Sequence, residues 1–198
     1  MAPGLETAPQ DGTQKTEAFT MNINEAKVLI IATHGFEQSE LEVPRDRLRN
    51  AGATVHVASL ESGRIRGWSG KDWGEEAPVD KTVQDIDVED YHAVVLPGGQ
   101  INPDLLRVEK TVIDLIHKFN IAEKPIAAIC HGPWLLIEAQ IVRGIRATSY
   151  KSIITDMKNA GAEWVDEATV RDRNIITARH PGDLDAFVSA IKDAISAL

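Results

Sequence analysis

Only one of the 198 residues is a cysteine, Cys130, so no disulfide can form within the chain and a disulfide-stapled secreted scaffold is excluded. No apolar run approaches the roughly 20 residues that span a bilayer. The N-terminal stretch has neither the basic start nor the apolar centre of a signal peptide. Basic residues are in the minority: 21 Lys and Arg against 30 Asp and Glu give a formal net charge of -9. Such a balance argues against nucleic acid and anionic membranes as partners. His34, His56, His92, His117 and His180 show no metal-ligand spacing, so no metal is expected. Gly98-Gly99 lacks both the dinucleotide and the Walker patterns, and no cofactor is expected either. These absences predict a cytoplasmic chain that works with its own side chains.

What is present is an ordinary globular composition, 43% hydrophobic and 26% charged. Residues 1–26 are rich in Pro, Gly, Thr, Gln and Glu and predict a flexible polar extension, leaving 27–198 as a single domain. Short unalternated apolar runs, Lys27–Ala32, His92–Leu96 and Pro125–Ile129, read as strands covered on both faces. Thr54–Ala58 adds another. Helical spacing follows each, over Glu37–Asn50, Val112–Phe119, His131–Ala139, Ser149–Ala160 and Asp183–Ala197, with two short strands around Thr169 and Ile175. Glycines at 63, 67, 70 and 74 around Trp68 and Trp73 predict a β-hairpin excursion. Alternation of strand and helix gives an α/β fold, an open and mostly parallel sheet with helices on both faces, flavodoxin-like.

Ligands of such sheets bind beyond the carboxyl ends of the strands. Three ends carry the polar or glycine-rich turns His34-Gly35-Phe36-Glu37, Pro97-Gly98-Gly99-Gln100 and Cys130-His131-Gly132-Pro133. Cys130 stands between a buried strand and a helix, as a nucleophile does on a strained elbow. Pro133 suits the first helical position, and the nearby helix terminus is expected to favour thiolate. Glu37, at the equivalent turn after the first strand, is the expected acid/base, its carboxyl made useful by burial. His131 is a second candidate base, although neighbours on a turn usually point apart. Backbone N–H groups at His131, Gly98 and Gly99 are candidate oxyanion donors.

Taken together, Gly35-Phe36-Glu37, Leu96-Pro97-Gly98-Gly99, Ala128 to Pro133, Thr148-Ser149-Tyr150 and Asp183-Leu184 resemble the PfpI/ThiJ family. Its fold is that of class I glutamine amidotransferases. Gly67 to Gly74 further resembles the bacterial general-stress branch. The resemblance implies a nucleophile at Cys130, an acid/base at Glu37 and His131 completing the site. It also implies a homodimer or larger assembly in which Asp104 of a neighbouring subunit orients His131. Three activities are implied: glyoxalase-like turnover of reactive carbonyls, deglycation of protein, and peptidase action. A compact pocket beside one cysteine favours the small carbonyls or glycated substrates. Outside catalysis, the same thiol could serve a redox sensor, and an exposed apolar patch would serve a chaperone.

Overall fold

The computed structural model describes residues 20–198. In chain order the strands are β1 (Lys27–Ile31), β2 (Phe36–Glu37), β3 (Thr54–Ser59), β4 (Gly63–Ser69), β5 (Asp72–Val79), β6 (Lys81–Thr82), β7 (Ala93–Leu96), β8 (Ile126–Ile129), β9 (Arg146–Ala147), β10 (Glu163–Trp164), β11 (Thr169–Asp172) and β12 (Ile175–Ala178). The helices are α1 (Gln38–Asn50), α2 (Ile101–Leu106), α3 (Lys110–Ile121), α4 (Pro133–Glu138), α5 (Ile154–Asn159) and α6 (Leu184–Ser196).

Seven strands form the main sheet in the order β11-β12-β8-β7-β1-β3-β6. All pairings are parallel except β11 with β12. Because side chains alternate across a strand, each apolar run feeds two cores. Val28, Ile30, Val95, Ala127, Ile129 and Ile176 face α1 and α6, where Leu41, Leu48, Phe187 and Ile191 meet them. Leu29, Ile31, Val94, Leu96, Ile126 and Ala128 face the opposite layer, filled by Val112, Ile116 and Phe119 of α3, Leu135 and Leu136 of α4, and Met157 of α5. The expected mostly parallel α/β sheet is the observed fold.

The β4–β5 hairpin is the predicted excursion, pairing β4 antiparallel to β5 and parallel to β2. Two boundaries differ from expectation. The helix foreseen from Ser149 begins later, after a 3₁₀ turn at Lys151–Ile153. Near the N-terminus, Asn22 caps a 3₁₀ turn at Ile23–Glu25, Ala26 is buried, and Met21 and Ile23 pack against the core. The apolar Met21 and Ile23 give these last residues of the foreseen extension something to bury. The rest of that extension, 1–19, lies outside the described residues.

Register brings the site together. Ile30 pairs with Val95, Leu96 with Ala128, and Ile129 with Ala178. The turns that follow β1, β7, β8 and β12 therefore open at one edge of the sheet.

Candidate active site

β8 is buried throughout and hands directly to Cys130, whose φ of +63° lies in the left-handed region. A residue with a Cβ is disfavoured there by about 1–2 kcal/mol, so the surroundings must hold it. Cys130 N–H donates to Ala178 O (3.0 Å), Tyr150 N–H donates to Cys130 O (2.9 Å), and Gly132 N–H donates to Ile129 O (2.8 Å). Glycine is required at 132 because a Cβ would stand 2.5 Å from Leu96 O. The foreseen elbow is present.

The carboxylate beside the sulfur belongs to Glu40, not to Glu37. Glu37 is the N-cap of α1: its Oε2 accepts from Glu40 N–H (2.9 Å) and from Ser39 Oγ–H (2.6 Å). That is a structural duty common at helix starts. One turn further on, Glu40 is fully buried among the core-facing residues of α1. Its Oε2 accepts from Gly98 N–H (2.8 Å), while Oε1 has no hydrogen-bond partner and the carboxyl lies close enough to the Cys130 thiol for each to shift the other's pKa. Burial first, and the Glu37 charge second, push the Glu40 pKa up to about 8. At neutral pH this carboxyl is mostly protonated and can donate from the oxygen that Gly98 leaves free.

Gly98 is wedged between the two reactive groups. A Cβ there would lie 2.6 Å from Glu40 Oε2 and 2.7 Å from Cys130 Cβ. With its N–H given to Glu40, Gly98 is not available as an oxyanion donor, contrary to expectation. The N–H groups of Gly99 and His131 face the sulfur instead. The loop is held from below by buried Asn102, whose Nδ2 donates to Pro97 O (2.9 Å) and whose Oδ1 accepts from Thr33 N–H (2.7 Å).

The expected resting thiolate is corrected as well. Burial pushes the Cys130 thiol up, the neighbouring Glu40 charge adds to the rise, and the Gly99 and His131 N–H groups only partly oppose it. α4 has six residues, so little dipole accumulates behind the sulfur. These surroundings disfavour the expected resting thiolate.

His131 does not point away. Its Nδ1 is 3.2 Å from Cys130 Sγ, and its Nε2 is 3.0 Å from Ser152 Oγ. The ring is stacked on Tyr150 (4.8 Å, 29°) and meets Trp134 edge-on (5.1 Å, 63°). That aromatic enclosure strips water from the imidazole and lowers its pKa, so it is neutral near pH 7 and able to take a proton. Asp104 is exposed on the first turn of α2, and among the described residues no carboxylate hydrogen-bonds to His131.

Of the loop histidines, His34 accepts from Arg66 N–H through Nδ1 (3.0 Å). His180 borders a cavity of about 500 Å³ lined also by Tyr150, Trp164, Asp166 and Arg179. Tyr150 is thus a wall shared by that cavity and the Cys130–His131 pair. No cluster of three metal-ligating side chains exists among the described residues, nor a helix long and apolar enough to cross a membrane.

Glu40 and Ser152 escaped the sequence reading. Glu40 left a signal: positions 40, 44 and 48 share the buried face of α1, and a carboxylate at helical spacing within such a face is an anomaly. Because Glu37 caps α1, Glu37→Ala is expected to lower stability by about 1 kcal/mol. Chemical denaturation checks this, with turnover per folded molecule changing far less than in variants of Glu40.

A nucleophile elbow, a buried protonated carboxyl and a glycine loop on this sheet can be compared with known proteins. A family profile described as DJ-1/PfpI matches residues 26–194. The chain belongs to the DJ-1/PfpI family. It is 41% identical over 162 residues to a deglycase of Thermococcus kodakarensis, covering 82% of this chain and 95% of that one. It is 38% identical to protein/nucleic acid deglycase 2 of Escherichia coli (81% and 92% covered) and to general stress protein 18 of Bacillus subtilis (81% and 92%). Among solved structures, Drosophila melanogaster DJ-1beta superposes with a TM-score of 0.79 at 29% identity, covering 87% and 91%. A two-domain Anabaena variabilis protein with DJ-1/ThiJ/PfpI-like and ferritin-like domains gives 0.81 at 36% identity, and the chain spans 48% of it. The PfpI/ThiJ resemblance of the motifs is borne out by the family match.

Proposed function

We propose that this DJ-1/PfpI chain is a cysteine-dependent enzyme that hydrolyses reactive-carbonyl adducts, in the manner of a deglycase, as part of a stress response. The observation that carries the reading is a thiol held between a neutral imidazole at 3.2 Å and a buried, protonated carboxyl. On attack the Cys130 proton moves to His131 Nδ1 while the sulfur bonds to the carbinol carbon of a methylglyoxal–amine adduct. The carbon–nitrogen bond breaks and the amine leaves with a proton, giving a hemithioacetal on Cys130. Glu40, having given its own proton to the departing amine, then carries a proton as a carboxylate from that carbon to the adjacent carbonyl carbon through an enediol, while the Gly99 and His131 N–H groups hold the developing oxyanion. The resulting thioester takes up water, releases lactate and restores the thiol.

Two features support the remaining expectations. Ile101, Leu105 and Val108 are exposed at 38%, 44% and 77% on and just beyond α2, the helix that carries Asp104. That apolar surface favours a homodimer or larger assembly. A lone nucleophilic thiol suits the reducing cytoplasm.

The test is a substrate panel for the purified chain: methylglyoxal, its adduct with N-acetylarginine, and a fluorogenic peptide. Lactate should form from the first two with the amino acid regenerated intact. Peptide cleavage without lactate would replace this reading with a peptidase.

A further inference from the structure

We infer that Ser152 is the positioning residue of the nucleophile's base, so that a Cys130–His131–Ser152 relay is completed within one subunit. This rests on Cys130 being the nucleophile, but on no particular substrate. For His131 Nδ1 to accept the thiol proton, the ring must carry its own proton on Nε2. Nε2 faces Ser152 Oγ at 3.0 Å, and a hydroxyl oxygen there accepts that N–H. Ser152 thereby fixes the ring edge and can accept from the tautomer that takes a proton from sulfur 3.2 Å away.

The placement follows from the backbone. Tyr150 N–H donates to Cys130 O, which docks the segment onto the elbow, and the 3₁₀ turn at Lys151–Ile153 then carries Ser152 over the far edge of the imidazole. An α-helix starting at Ser149 would present a different register there. The other groups around His131 cannot do this work. Tyr150 offers its ring face, and Trp134 gives its Nε1–H to Asp156 (2.8 Å). The Arg107 guanidinium lies 5.4 Å over the Trp134 ring, paired with Glu138, and Glu40 lies on the thiol side.

The chemical consequence lies in the neutrality of the acceptor. When the proton passes from Sγ to Nδ1, the imidazolium forms against a hydroxyl, not a carboxylate. The ion pair is therefore weakly populated at rest and forms when a substrate carbonyl takes up the sulfur. A hydroxyl orients without charging the base.

Because Cys130 is the sole cysteine, iodoacetamide alkylation reads this site without any substrate. Ser152→Ala should slow alkylation at pH 7.5 about five-fold, the loss of one neutral hydrogen bond, with thermal unfolding unchanged and Ser152→Thr restoring the rate. Ser152→Asp should move the alkylation profile to lower pH by stabilising the imidazolium. A Ser152→Ala profile that superimposes on wild type would overturn the proposal. So would a loss that appears in Asp104→Ala and not in Ser152→Ala, since a partner carboxylate would then hold the ring. If wild type turns over no carbonyl adduct while the Ser152 variants behave as stated, the positioning role stands and the assigned substrate falls.

Discussion

Cys130→Ala is expected to bring lactate release from methylglyoxal adducts down to the uncatalysed background while leaving the fold intact. The sulfur is the only nucleophile at the elbow, and neither His131 nor Glu40 can replace its covalent step. Folding should survive because the elbow is held by backbone hydrogen bonds that alanine keeps: Cys130 N–H to Ala178 O, and Cys130 O from Tyr150 N–H. Cys130→Gly adds a second reading. Glycine carries no penalty at a φ of +63°, so this variant should be about 1 kcal/mol more stable than Cys130→Ala and equally inactive. Paired measurements of turnover and urea unfolding check both. Residual turnover in either variant would move the chemistry elsewhere.

Glu40→Gln should reduce turnover by about 100-fold or more, the range lost with a general acid–base group. Glutamine keeps the acceptor for Gly98 N–H but cannot carry a proton between two carbons. A pH profile sharpens the test. With a pKa pushed up to about 8, Glu40 is protonated at neutral pH and loses its proton as pH rises through 8. Steps needing its acid form should decline on that alkaline limb. Stability falls with rising pH as well. The folded pKa lies above the unfolded value of 4.5, so the chain is most favoured below that value, and stability falls as pH rises from there towards 8. Glutamine removes the ionisation, and Glu40→Gln should unfold at a higher temperature than wild type near pH 7. An inactive variant that melts higher marks a residue kept for chemistry at the expense of stability.

The architecture was legible because β1, β7 and β8 are unalternated apolar runs between helical segments, a pattern that leaves few folds open. Cys130 was legible for a local reason: a buried strand, then Cys130 and His131, then a glycine and a helix-starting proline. Glu40 was harder because two carboxylates three residues apart compete for one role. The choice turns on where α1 begins: starting it at Gln38 makes Glu37 the cap and turns Glu40 inward. His131 illustrates a different limit. Adjacent side chains normally diverge, but the positive φ at Cys130 turns its sulfur back to the imidazole edge. The Ser152 contact depends on a 3₁₀ turn where helical periodicity suggested a regular helix. Each miss concerns one turn of backbone, and each decides which polar atom meets the sulfur.

The reactive constellation draws on chain segments that have no contact until the sheet exists. Glu40 arrives on the first helix, Gly98 and Gly99 at the end of β7, Cys130 after β8, and Ala178 at the end of β12, near the C-terminus. A nascent or half-assembled chain therefore carries an ordinary thiol, an ordinary carboxylate and an ordinary histidine, each solvated and unremarkable in reactivity. The site is complete only with the last parallel strand, β12, whose Ala178 O accepts from the Cys130 N–H.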